Sequence, residues 1–249
     1  PICYPAGMHA PKTGHLLLLA ASITLGGGSL LLFGVFLYLG SFQLLDLGLS
    51  PVAVLLFDAV VLSLTFFLQH SLMARPAVQD KLAGHLSKAC LPAVYSAASG
   101  IALLAVLLLW QRAFPGLIAV PPPWSWGLRV LFFAALAFAA WAGRTLGGLD
   151  ALGIKPILAE MDMAEPPDEP PLVTKGPYRL VRHPMYSATL VIIWSCPEVS
   201  GDRLLFNVLW SVWIVAAAKL EEKELTARYG AAYRAYREQV PGLFPWPRP

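Results

Sequence analysis

Long apolar runs broken by short polar segments set the pattern of the chain. About 20 mostly apolar residues are needed to cross the hydrocarbon core of a bilayer. Residues 15–39, 51–70, 90–110 and 126–145 meet that length or nearly do. Two further runs follow: residues 186–199, short and interrupted by Pro197, and residues 204–219. Only Ser200-Gly201-Asp202 separates these last two, so they read as a helical hairpin. The first run is too long for a signal-peptide core and no convincing small-x-small site follows it, so it reads as an anchor. The pattern predicts six spans in an all-α, polytopic transmembrane helical bundle. Beyond it, Leu225, Tyr229, Tyr233 and Tyr236 recur at spacings that share one helical face, which predicts a C-terminal amphipathic helix.

Composition narrows this further. The 249 residues are 57% hydrophobic and only 13% charged, with a mean hydropathy of +0.63. That charge content is about half the share of a soluble domain, and the ample apolar surface excludes disorder. Cys3, Cys90 and Cys196 are few, odd in number and far apart, which excludes a disulfide scaffold. With the N-terminus placed in the cytoplasm, fifteen of the 18 Lys and Arg residues fall on that side; Arg112, Arg129 and Arg203 fall on the other. Both termini and the amphipathic helix are therefore expected to be cytoplasmic. Cations beside anionic lipid account for the net charge of +3, with no nucleic acid needed.

The polar chemistry is concentrated. Residues 165–171, Glu-Pro-Pro-Asp-Glu-Pro-Pro, read as an extended acidic linker. After them comes Lys175-Gly-Pro-Tyr-Arg-Leu-Val-Arg-His-Pro-Met-Tyr186, where the hairpin enters the membrane. A second dense run, residues 219–237, leaves the hairpin on the same side, so the two should meet. Near its start stand Glu221 and Glu222, adjacent carboxylates that repel each other unless a cation is near. Lys223 is one candidate for that cation and a bound cationic ligand is another. The organisation expected is a four-span bundle over residues 1–145, a cytoplasmic linker over 146–182, and a hairpin with the C-terminal helix over 183–249.

These two runs, joined by a hairpin and followed by Val240-Pro-Gly-Leu-Phe-Pro-Trp246, resemble the integral membrane methyltransferases, the isoprenylcysteine carboxyl methyltransferases and their bacterial relatives. The resemblance covers about residues 175–246. Phe67-Leu-Gln-His-Ser-Leu-Met-Ala-Arg-Pro76 and, more loosely, Pro92-Ala-Val-Tyr-Ser96 are similar to the branch holding the bacterial methanethiol S-methyltransferases and NnrU-type proteins. Where an Asn-His-Phe-Asp-like segment belongs, residues 147–153 keep only Asp150 and Gly153 of that pattern.

The resemblance implies an integral protein of the bacterial inner membrane that uses S-adenosylmethionine. Gly26-Gly27-Gly28 lies inside an apolar span with no strand before it, so it reads as a helix-packing surface rather than a nucleotide loop. The cofactor is then expected between the hairpin and the C-terminal helix. The resemblance places its carboxylate and ribose with Arg182, His183 and the backbone of Gly176, Pro177 and Tyr178. Its amino group falls to Glu221 or Glu222, its adenosine and methyl to Tyr186, and the floor of the pocket to Tyr233, Tyr236 and Arg237.

Methyl transfer to a small thiol such as methanethiol is the implied reaction; a lipidic acceptor, a prenylcysteine carboxylate or a phospholipid amine, is the alternative. A membrane accessory or transport subunit is the non-enzymatic one. A thiol reacts as the thiolate, which makes His70, or Asp150, the expected base. His70 reads equally well as a histidine bonded to a helix-end carbonyl. Asp58, midway along the second span, fits an internal pairing with a hydroxyl or amide. His9, His15 and His85 show no ligand spacing with one another or with a cysteine, so no metal is expected.

Overall fold

The computed structural model describes residues 12–147, 150–161 and 171–246. The acidic linker lies almost wholly outside them. In chain order the elements are α1 (Thr13–Leu39), α2 (Pro51–Met73), α3 (Pro76–Ala83), α4 (Leu91–Leu109), β1 (Ile118–Ala119), α5 (Trp124–Thr145), α6 (Ile154–Met161), α7 (Pro184–Trp194), β2 (Glu198–Val199) and α8 (Gly201–Gln239). Among the described residues, α1, α2, α4, α5 and α8 are long and apolar enough to cross a membrane. The chain is an integral membrane protein.

One of the six expected spans is not a full one. Helix α7 has 11 residues, and at 1.5 Å per residue it covers about 16 Å, roughly half the hydrocarbon core. Ser195, Cys196 and Pro197 end it before β2 begins. Helix α8 departs in the other direction. Its 39 residues extend about 58 Å, well beyond the core. The expected separate C-terminal helix is instead its second half, bent at Gly230, where φ is +55° and ψ −123°.

The chain divides into two compact units. The first comprises the described residues among 1–36, 42–111 and 150–169. Small residues let its helices approach closely. A Cβ on Gly26 would run into Ser96, and one on Gly100 into the backbone of Leu25. The glycine run is thus a packing surface at Gly26, as expected, whereas Gly28 faces open space. The Ser22 hydroxyl donates to the Leu152 carbonyl at 2.6 Å. Asp58 is fully buried and accepts the Gln111 N–H at 3.2 Å, the internal amide pairing expected of it.

The second unit comprises the described residues among 37–41, 112–149 and 170–249. It therefore takes α5, which the chain order groups with the first three spans, and packs it against α7. Strands β1 and β2 pair antiparallel, Ile118 opposite Val199 and Ala119 opposite Glu198. At the start of α8 the buried Asp202 accepts the Ala113 N–H at 3.0 Å and the Ser41 hydroxyl. Arg203 is no loop cation. It is fully buried and donates to the carbonyls of Leu37 (3.1 Å) and Ile193 (3.2 Å).

Candidate functional site

The second unit gathers the dense polar runs around one carboxylate. Pro184 occupies the first turn of α7, where its missing N–H is no loss. A residue before proline is pushed out of the helical region, and His183 has φ −121° and ψ 63°. The backbone N–H groups of Arg182 and His183 then donate to the carbonyls of Pro241 (2.8 Å) and Gly242 (3.1 Å). The Ser187 hydroxyl adds a bond to the Leu243 carbonyl. This lacing holds residues 240–243 against the entry to α7.

Arg182 and His183 thereby face Glu222 on α8. The Arg182 Nε–H donates to Glu222 Oε1 at 2.9 Å, a second guanidinium N–H reaches the same oxygen, and the remaining nitrogen donates to the carbonyls of Arg237 and Val240. His183 Nε2 lies 3.3 Å from Glu222 Oε1, and Arg237 Nε lies 3.8 Å from Oε2. The cation that neutralises Glu222 is thus Arg182 rather than Lys223. The two carboxylates differ sharply. Glu222 is 17% exposed and fully engaged, whereas Glu221 is 43% exposed and only approaches His183 Nδ1, at 3.7 Å.

Aromatic residues wall this cluster. His183 and Tyr186 are stacked, with ring centroids 5.7 Å apart and 23° between planes. Tyr233, Tyr236 and Val240 form a buried cluster, with Leu172, Leu225 and Tyr229 packed against it. Leu225, Tyr229, Tyr233 and Tyr236 thus pack together within the chain. Gly176-Pro177-Tyr178-Arg179 forms a 3-10 turn. Gly176 is at φ +60°, and a Cβ there would crowd Thr145 Oγ1 at 2.9 Å, so only glycine fits. The turn presents the Tyr178 carbonyl to the Tyr236 hydroxyl at 2.6 Å. Burial, aided by the negative charge of Glu221, pushes the Tyr178 hydroxyl up to about 12. Tyr236→Phe would leave that carbonyl without its buried partner and should cost about 1–3 kcal/mol, read as a lower midpoint in thermal unfolding.

Gly176, Pro177, Tyr178, Arg182, His183, Tyr186, Glu221, Glu222, Tyr233, Tyr236 and Arg237 all belong to this second unit. His70 and Asp150 belong to the first. His70 bonds hydroxyls of α4: Tyr95 at 2.7 Å from Nε2 and Ser99 at 3.2 Å from Nδ1. Both Asp150 oxygens accept backbone N–H groups at the start of α6, from Ile154 and Lys155, each at 2.8 Å. That is the behaviour of a helix-capping carboxylate. A third grouping carries no signal in the sequence: His15, Cys90 and Glu160 converge in the first unit, although no spacing links them.

Known proteins resemble most of the chain. A family model described as phospholipid methyltransferase matches residues 129–232. A methanethiol S-methyltransferase of a Pseudomonas species is 31% identical over 196 residues, 78% of this chain and 74% of the relative. The methanethiol S-methyltransferase of Mycobacterium tuberculosis is 29% identical over 197 residues, 76% and 80% of the two chains. Nurim of Rattus norvegicus is 28% identical over 193 residues, 71% of this chain and 70% of the relative. No solved structure matches.

Proposed function

We propose that this chain, which belongs to the methanethiol S-methyltransferase family of integral membrane methyltransferases, carries S-adenosylmethionine in its second unit and methylates a small thiol. The observation that carries the site is the unequal pair of carboxylates. Glu222 is neutralised within the protein by Arg182, while Glu221, beside it, keeps an accessible carboxylate. The α-amino group of the cofactor needs such an anion, and we assign it to Glu221. Its carboxylate needs a cation with room; Arg237 is 47% exposed, whereas Arg182 is 8% exposed and engaged. The stacked His183–Tyr186 pair offers an aromatic face to the adenine.

When bound, the cofactor supplies an electrophilic methyl group on a sulfonium. The protein's task is alignment of the nucleophile to about 3–3.5 Å and exclusion of water. The Arg182–Glu222 clamp fixes the entry of α7 to the middle of α8, so the groups that hold the cofactor stand on rigid elements. The buried Tyr233–Tyr236–Val240 cluster excludes water beneath them. We place this site on the cytoplasmic face of the bacterial inner membrane, with both termini on that side, as the distribution of Lys and Arg favours. The thiol reading rests on the relatives named for methanethiol. A lipidic acceptor is the second reading, favoured by the phospholipid methyltransferase match over residues 129–232.

Binding of S-adenosylhomocysteine to the purified protein tests the site. Present at a hundred times its dissociation constant, it should stabilise the fold by about 2.7 kcal/mol. Glu221→Gln removes one charge-assisted hydrogen bond, worth about 1.5–3 kcal/mol, and should weaken binding tenfold or more with the unfolding midpoint of the free protein unchanged. Equal affinity in the variant would remove Glu221 from the site.

A further inference from the structure

The first unit brings three potential metal ligands to one point. The ligand atoms of His15, Cys90 and Glu160 all lie within 4.8 Å of one another. They come from α1, from the residue that caps α4, and from the end of α6. We propose that His15, Cys90 and Glu160 bind a divalent transition-metal ion of the zinc class, clamping the ends of these three helices.

The framework beneath the ligands is already built. Leu19, Ala93 and Ile157 form a buried apolar cluster. Each stands three or four residues from one ligand, so on each helix the core residue and the ligand share a face. Packing of the three core residues therefore sets the three ligands side by side. Two further contacts hold α6 in register: the bond from Ser22 to the Leu152 carbonyl, and the close approach of Gly153 to the backbone of Pro92 and Ala93.

The chemistry of the set suits such an ion. One imidazole nitrogen, one thiolate and one carboxylate are the donor types zinc takes. Cys90 is fully buried and forms no disulfide. His15 is 5% exposed; its Nε2 lies 3.2 Å from Glu160 Oε2, and its Nδ1 is buried with no hydrogen-bond partner among the described residues. The Cys90 thiol stands beside the His15–Glu160 pair, so three ligand types rather than two meet at this point. A thiolate and a carboxylate neutralise a dication, so the loaded site carries no net charge.

The size fits as well. Tetrahedral zinc bonds of about 2.0–2.3 Å place ligand atoms about 3.3–3.8 Å apart. The ligand atoms seen here lie within 4.8 Å of one another, at most about 1 Å beyond that spacing. Glu160 is 36% exposed and accepts the Ser87 hydroxyl at 2.7 Å, so a fourth ligand can come from Ser87 or from water.

The test uses the full chain in detergent, with any affinity histidines removed and metals stripped by chelator. Zinc is then added, free ion is removed, and bound metal is measured by elemental mass spectrometry. The wild type should retain about one zinc per chain, as one tetrahedral site requires. Cys90→Ser and Glu160→Gln should each lower the affinity at least tenfold in competition with a chromogenic chelator, since loss of an outer partner alone costs about 10–100-fold. Cobalt loading supplies a readout that does not depend on the stability of one variant. A thiolate-to-cobalt charge-transfer band should appear in the wild type, persist in Glu160→Gln at saturating cobalt, and vanish in Cys90→Ser. Absence of bound metal in the wild type, or a cobalt spectrum without that band, would overturn the proposal. So would equal retention of zinc by wild type and variants.

Discussion

Glu222→Ala should unfold the second unit more readily than any other single change at its site, by about 3–5 kcal/mol. The reason lies in what remains behind. The Arg182 side chain is 8% exposed and gives two of its nitrogens to Glu222 Oε1. Without the carboxylate, that cation stays buried, with only the Arg237 and Val240 carbonyls to accept from it. His183 loses its nearest acceptor at the same time. Glu222→Gln keeps an acceptor for one N–H and should fall between wild type and Ala. Glu221→Ala removes a half-exposed group with a single long approach to His183 and should leave the unfolding midpoint nearly unchanged. Thermal unfolding of the three variants in one detergent separates these roles. Equal destabilisation by Glu221→Ala and Glu222→Ala would contradict the division between a structural and a ligand-facing carboxylate.

The first unit has its own point of largest sensitivity, Gly153. Its φ is +67°, and a Cβ there would collide with the backbone of Pro92 and Ala93. Both features oppose Gly153→Ala. The left-handed conformation costs a residue with a Cβ about 1–2 kcal/mol, and overpacking against an unyielding backbone adds about 1–3 kcal/mol. A loss of about 3 kcal/mol is expected from these two together. Gly28→Ala is the control. Gly28 is helical and a Cβ there meets nothing within 4 Å, so the change should be neutral or slightly stabilising. The unfolding midpoint checks both. Because Gly153 immediately precedes α6, the first variant should also lower zinc retention at Glu160.

Much of this architecture is legible in the sequence, and the exceptions have physical causes. Apolar runs near 20 residues report spans directly, and α1, α2, α4 and α5 follow them. Residues 186–199 mislead because they stay apolar after their helix ends; the chain turns at Ser195 and pairs through β2. The division between the sixth run and the amphipathic helix disappears because charge changes at Lys219 while backbone geometry does not change until Gly230.

At the site, residue types and their order point to Arg182, His183 and the Glu pair. Which carboxylate is buried depends on the direction each leaves α8, and adjacent residues on a helix diverge by about 100°. The ligand set of His15, Cys90 and Glu160 is illegible for a different reason. Its members are separated by 75 and 70 residues, and only the packing of Leu19, Ala93 and Ile157 brings them together.

The most direct measurement of the central reading is a transfer assay. The purified protein is incubated with S-adenosylmethionine labelled in the transferred methyl and, separately, with methanethiol, hydrogen sulfide, a farnesyl-cysteine and a phosphatidylethanolamine. Label should pass to methanethiol, giving volatile dimethyl sulfide, and the yield should fall in Glu221→Gln at limiting cofactor. Label in the farnesyl-cysteine or the phospholipid alone would contradict the thiol reading. No transfer to any acceptor, with no binding of S-adenosylhomocysteine, would contradict the cofactor site itself.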